Sequence, residues 1–282
     1  MKFRIFLFLQ ILSISVYAKS LKNDSLDISD FVAVYDYTCH TVDEAGDSVQ
    51  DIARYVLQVG DKYNCFLPWS EYNYQTTSEH KLDLESKMRE SKVFMPTILV
   101  SKEDGTCTNN SFIYPNIFQS ISRMEKIDWK IIEIIKEIDG YYCSNAIANF
   151  HGIEWQVWYT EEIPADAGPW KLNGLPGLIV EALSNNGCHH FKLKELKQKQ
   201  TSILRPESVN VSKLSQKSMM KYVNKTLGNN RYMKEPYYYI GNLQSTIKNM
   251  NVVNNNSIGN VVLINGCIYK QDAHKYQPLE LK

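Results

Sequence analysis

The chain keeps returning to short runs of alternating apolar residues closed by turn signals, and such a pattern folds into a meander of β-strands. Phe31-Val32-Ala33-Val34-Tyr35-Asp36-Tyr37 is the first run. The turn Asp43–Asp47, with Gly46, leads to a second strand over Ala53–Val59, and Gly60-Asp61 leads to a third over Tyr63–Leu67. Pro96–Ser101 reads as another strand, ended by the turn Glu103-Asp104-Gly105. Trp129–Glu137 has the spacing of an amphipathic helix, but its four isoleucines and the Asp139-Gly140 turn after it predict a hairpin strand. Tyr141–Phe150, Glu154–Thr160, His189–Leu196 and Val261–Tyr269 continue the series. Two stretches depart from it. Glu79–Glu90 sets Leu82, Leu84 and Met88 among charges, and Ser212–Leu227 gathers Leu214, Met219, Tyr222 and Val223 on one side, so both predict helices. Asn249–Asn256 reads as loop. No internal repeat or long linker divides the chain, which predicts a single, mainly β domain of α+β class.

The first residues have a different purpose. Lys2 and Arg4 precede an apolar run from Ile5 to Tyr17 that only Gln10, Ser13 and Ser15 interrupt. Val16-Tyr17-Ala18 fits a small-x-small cleavage pattern, so 1–18 reads as a signal peptide and 19–282 as the mature protein. The run is shorter than the roughly 20 apolar residues a membrane-spanning helix needs. No later stretch is long and apolar enough either. The expectation is a protein without a transmembrane segment after cleavage, in the periplasm or secreted.

Charge narrows the function. The chain carries 31 basic and 31 acidic residues, and loss of Lys2 and Arg4 leaves 29 against 31, close to −2. A generic nucleic-acid binder needs a basic surplus, so no nucleic-acid partner is expected. Cys39, Cys65, Cys107, Cys143, Cys188 and Cys267 contain no CxxC pair. An oxidising compartment and an even count favour disulfides, with the connectivity open among 15 pairings.

Residues 154–180 form the most unusual segment. Leu175-Pro176-Gly177-Leu178 has the composition of a type II turn, with Pro at the second position and Gly expected at positive φ in the third. Gly168-Pro169 is a second bend, and Trp155, Trp158, Tyr159 and Trp170 can cover the loop with aromatic surface. The segment resembles the GLPGLI family of exported proteins of Gram-negative bacteria, after the hexapeptide Gly174-Leu175-Pro176-Gly177-Leu178-Ile179. Upstream, Ile127-Asp128-Trp129-Lys130 and Gly140-Tyr141-Tyr142-Cys143 with Ala146 extend the resemblance, and Tyr276-Gln277-Pro278-Leu279-Glu280-Leu281 looks like the family's closing segment. Two positions depart: Glu161 stands where the family has Pro, and no Arg flanks Gly152. The resemblance implies a curved antiparallel sheet, or half-open barrel, with a few helices packed on it. It implies one domain over 19–282, of largely unknown function.

Chemistry is sparse. The loop 161–179 holds no Ser, Cys or His, and its ionisable groups are Glu161, Glu162, Asp166 and Lys171. GxSxG, HExxH and GxxxxGK patterns are absent. No catalytic set and no cofactor are therefore expected. Cys188-His189-His190 is the metal candidate, because on a strand Cys188 and His190 would share a face while His189 points away. Cys39-His40 or His151 could complete a copper or zinc site. Lys192, Lys194, Lys197 and Lys199 read as a solvent-facing strand edge, and Tyr232 with Tyr237-Tyr238-Tyr239 as sheet packing.

The expected function is a non-catalytic envelope protein that binds an apolar ligand or a protein partner. The binding residues would be Trp155, Trp158, Tyr159, Trp170, Leu175, Pro176 and Gly177. The alternative is a periplasmic metal-handling protein that uses Cys188 and His190.

Overall fold

The computed structural model describes residues 25–42, 46–77, 96–113, 116–206, 211–227, 261–264, 267–270 and 277–281. The signal segment, the helix expected over 79–90, the tyrosines 232 and 237–239 and the Asn-rich loop 249–256 lie outside the described residues, as do parts of the Asp43–Asp47 turn.

The expected mainly β architecture is observed. One open, curved sheet of 13 strands dominates the molecule and does not close into a barrel. The long β1 (Ser25–Val42) runs through its middle. On one side follow β2 (Ser48–Gly60), β3 (Tyr63–Pro68), β4 (Thr97–Ser101), β5 (Thr106–Ile113) and β6 (Asn116–Arg123). On the other lie β11 (His189–Lys197), β10 (Leu178–Ser184), β9 (Ile153–Thr160), β8 (Tyr141–Phe150) and β7 (Lys130–Ile138). β12 (Ser202–Leu204) pairs with the start of β1, and β13 (Val211–Lys213) joins β6 in parallel. A separate hairpin, β14 (Val261–Ile264) and β15 (Cys267–Lys270), occupies the region where a single strand was expected.

Alternation explains most of the packing. Ala33, Tyr35 and Tyr37 of β1 enter the large inner core, while Val32 joins Val56, Cys65, Leu67 and Leu99 in a smaller outer cluster. The short helix α1 (Trp69–Thr76) covers that outer cluster with Tyr72 and Trp69. β1 is thus buried on both faces, which its run of Val, Ala and Tyr allows. The ambiguous isoleucine run is a strand. Asp139 (φ 49°) and Gly140 (φ 89°) both lie in the left-handed region and close the β7–β8 hairpin, as do His151 (φ 51°) and Gly152 (φ 82°) between β8 and β9.

The late helix is shorter than expected. α2 spans Gln216–Leu227, because Val211–Lys213 pairs with Ile117–Gln119 and the Leu214 N–H still donates to the Gln119 carbonyl. Ser215 Oγ then accepts from the Ser218 N–H at 3.2 Å and caps the first turn. Met219 and Val223 are buried beneath the helix.

Two expectations fail. The cysteines with described side chains, Cys39, Cys65, Cys107, Cys143 and Cys188, are thiols, not disulfides. Cys39, Cys65, Cys107 and Cys143 sit on β1, β3, β5 and β8, no two of which are neighbours. Strands two places apart are about 9–10 Å from one another, beyond the about 7 Å limit for bridging Cα atoms. Cys188 lies beside β1, but its carbonyl accepts from His40 N–H, so it is in register with His40 and not with Cys39. The lysine run is not on a sheet edge either. β11 is hydrogen-bonded on both sides, to β1 and β10. Lys197 lies over Trp69 and Lys199 over Tyr72, so the basic stretch covers aromatic rings of the outer cluster.

Candidate functional site

Residues 161–177 leave β9 and return to β10 across the inner face of the sheet. Backbone bonds anchor the return: Leu178 N–H donates to the Ile163 carbonyl at 3.1 Å and Ile179 N–H to that of Ala167 at 3.0 Å. Side chains fix the rest. Trp129 Nε1–H donates to the Asn173 carbonyl at 2.7 Å, and Tyr35 Oη–H to the Ile179 carbonyl at 2.7 Å. Asp166 accepts from the Gly174 N–H, and Glu162 accepts from the Tyr142 N–H at 2.8 Å. Both carboxylates therefore hold loop and strand backbone.

Gly177 does not adopt the positive φ of a type II turn; Gly174 does, at φ 90°. Gly177 is required for another reason. A Cβ there would overlap the Thr160 carbonyl, so the hexapeptide glycine permits a close approach of two backbones. Gly168 is similar, since its Cβ would lie 2.7 Å from the Leu172 carbonyl oxygen. Trp170 itself has φ 55°, a left-handed conformation rare for a bulky side chain. Phe150 (5.5 Å) and Trp155 (6.0 Å) pack against its ring and hold it there.

The aromatic residues expected to bind are mostly internal. Trp155 is fully buried, with Trp170, His189 and Phe191 around it. Tyr159, Leu175 and Gly177 are buried, Trp158 is half-buried beneath Lys136, and Pro176 is exposed. Of the seven, Trp170 lines two cavities.

The larger cavity, of about 580 Å³, lies between the loop and the inner face of β1–β4. Its floor is two cross-strand rows. Phe31, Val59, Asn64 and Val100 are in register across four strands, and Leu57, Phe66 and Ile98 form the next row. Pro164, Ala165, Ala167, Trp170 and Leu172 face the rows from the loop, and Met124 closes one side. Asp30, Asp61, Asp166 and Lys102 stand at the rim, exposed. The floor strands were legible in the sequence, but the cleft was not, because it depends on how the loop returns.

The C-terminal residues 277–281 were recognised by resemblance only, and they complete the inner face. Leu279 is buried in the core, and Glu280 pairs with the buried Lys171. Asn224 Nδ2 donates to the Glu280 carbonyl at 3.1 Å, and Leu281 N–H to the His151 carbonyl at 2.8 Å. His189 Nε2 lies 3.2 Å from the Pro278 carbonyl and Nδ1 2.7 Å from Tyr37 Oη. A carbonyl only accepts, so Nε2 carries the proton and Nδ1 accepts from the tyrosine. Burial pushes this imidazole down to about 4, although the Pro278 carbonyl acts the other way.

At the metal candidate the strand alternation is as read from the sequence: His189 faces the core, and His190 bonds Glu181 at 2.9 Å on the other face. That hydrogen bond holds the Glu181 carboxyl below its usual range. Burial pushes the Cys39 thiol up to about 12 and those of Cys107 and Cys143 up to about 11, which disfavours the thiolates a metal would need. Among the described residues no group of three or more His, Cys, Asp or Glu could hold a metal ion.

No curated protein matches the chain. Two crystal structures of PNGF-II, in the C2 and P21 space groups, are similar at TM-scores of 0.45, with 15% and 14% identity. Each similarity covers 68% of this chain and 33% of the other, so the chain spans about a third of the length of those proteins. Residues 149–181, which carry β9, the loop and the Gly174–Ile179 hexapeptide, match the model of a family described as a protein of unknown function (Porph_ging).

Proposed function

We propose that this is an exported, non-catalytic envelope protein that holds an apolar ligand between its Pro/Gly loop and the inner face of β1–β4. The cleft carries this reading: about 580 Å³, floored by Phe31, Leu57, Val59, Phe66, Ile98 and Val100. Small-molecule sites fall in the range of roughly 300–1,000 Å³ and are mostly apolar with a few placed polar groups. Trp170 keeps its binding role as part of the lid, while Trp155, Tyr159 and Leu175 act by holding that lid in place. Export rests on residues 1–18, and the GLPGLI resemblance favours the same address. The carboxylates of Glu162 and Asp166 serve the loop backbone, which supports a binding role over acid–base chemistry.

Titration of the mature protein with Nile red, a neutral solvent-sensitive dye, tests the reading. Saturable binding is expected in the wild type and its loss in Met124→Glu combined with Val100→Asn, with the far-ultraviolet circular dichroism of both proteins unchanged. Absence of saturable binding, together with an intact mass carrying no lipid-sized adduct when the protein is taken from the envelope, overturns it. The same intact mass checks cleavage after Ala18.

A further inference from the structure

We infer that the small cavity beneath α2 is the polar end of the binding site, and that it receives the neutral, carbonyl-bearing head of a ligand whose apolar part fills the cleft. The inference rests on the apolar-cleft reading above and adds the chemical class of the ligand. The two spaces share a floor and a wall. Leu57, Phe66 and Ile98, the second floor row of the cleft, continue in register through Asn109 of β5 to Ser120 of β6. Residues directly opposite on neighbouring strands share a face. One row on the inner face therefore runs from apolar to polar. Its first three residues line the cleft, and its last two line the cavity beneath α2. Trp170 borders both spaces.

The polar end has donors to spare. Asn109 is 8% exposed and Ser120 2%. Asn109 Oδ1 accepts from Ser111 Oγ–H at 2.9 Å, which leaves its Nδ2 without a partner among the described residues, and Ser120 Oγ has none either. Trp155 Nε1, also unpartnered, is sealed within the core, whereas these two atoms stay open to the cavity that their residues line. An amide N–H donates and a serine hydroxyl can donate, so one carbonyl oxygen could accept from both. Charge selects against ionic heads. Glu280, the ionic residue among those lining the cavity, is paired with Lys171. A carboxylate or ammonium would lose its water among Met219, Val223, Leu279 and Trp170 and gain no counter-ion. Size agrees. The cavity is about 40 Å³. A water needs roughly 10–15 Å³ of such space, so a head of about three heavy atoms, such as a primary amide, fits and an alkyl chain does not.

Displacement of Nile red from the mature chain at neutral pH, below the micellar range, by octanamide, octanoate and octylammonium tests this. Octanamide is expected to bind about fivefold or more tighter than either ion, the effect of one or two neutral hydrogen bonds. Ser120→Ala removes the hydroxyl and Asn109→Leu the amide. Each is expected to bring the ratio of octanamide to octanoate affinity close to one. Ser120→Ala loses a single oxygen and keeps the fold, so the test stands even where Asn109→Leu unfolds. Octanoate or octylammonium binding as tightly as octanamide, or a ratio indifferent to Ser120→Ala and Asn109→Leu, overturns the inference: the small cavity then takes water only. Nile red that binds but is displaced by none of the three probes also overturns it, and in each of these cases the saturable dye binding keeps the apolar cleft. Failure of Nile red and of all three probes to bind overturns the cleft reading as well.

Discussion

The two arms of the sheet on either side of β1 have the same alternation and different contents. The inner face of β8–β11 is filled by the protein itself: Trp170, Leu172 and Leu175 from the loop and Leu279 from the C-terminal segment pack with Trp155 and Phe191. The inner face of β1–β4 meets the same loop across a cleft. The aromatic-rich signature therefore lies mostly on the filled side, where it packs the loop onto the sheet. The plain aliphatic strands, with nothing unusual in their composition, line the cleft. An unusual segment can be unusual because it is hard to pack, not because it binds.

Breaking the filled arm should cost most. Trp155→Ala removes a fully buried side chain and is expected to destabilise by about 3–5 kcal/mol, against less than about 1 kcal/mol for Trp158→Ala, whose ring is half-exposed on the other face. Urea midpoints would measure both. Equal losses would mean the two tryptophans do not divide between inside and outside.

Acid should act on the same arm. The folded state holds His189 neutral down to about 4, whereas the unfolded chain takes up a proton near 6.5. Stability is therefore complete above the higher value and is lost as pH falls towards the lower. The total is about 3 kcal/mol from this group. His189→Gln lowers stability at neutral pH but flattens the profile in that window. An unchanged slope in His189→Gln would remove the histidine from the acid response.

Gly177→Ala sharpens the comparison where the loop returns from β9 to β10 within the filled arm. Its methyl would meet the Thr160 carbonyl, so a loss of about 1–3 kcal/mol is expected. Gly46→Ala has open space but a positive φ, and is expected to cost about 1 kcal/mol. Thermal melts of both would separate steric from conformational need. On the cleft side the effect should be smallest. Val100→Ser is expected to change stability by about 1 kcal/mol or less and to weaken Nile red binding several-fold, by loss of apolar wall. A large stability loss with unchanged binding would reverse the roles of the two arms.

Much of the fold was legible because β-strands announce themselves locally. The alternation in Phe31–Tyr37 and the Asp139-Gly140 turn predict pairing without reference to distant residues. β5 and β6 escaped, because Thr106–Ile113 and Asn116–Arg123 carry Asn, Ser and Thr where an inner face usually carries aliphatics. Asn109, Ser111 and Ser120 are nonetheless buried there. The hexapeptide was legible as an ordered loop, but the reason for its second glycine was not. A turn preference lies within four residues, whereas the approach to Thr160 joins positions 17 apart.

By itself the sequence determined the strand class, the hairpin turns and the special status of 154–180, since propensity, alternation and turn geometry act over a few residues. Tertiary structure decided which arm was filled, which cysteines stayed apart, and which histidine faced the core. Those outcomes depend on strand order and on where the loop and the C-terminal segment return, and neither is encoded in any window short enough to read.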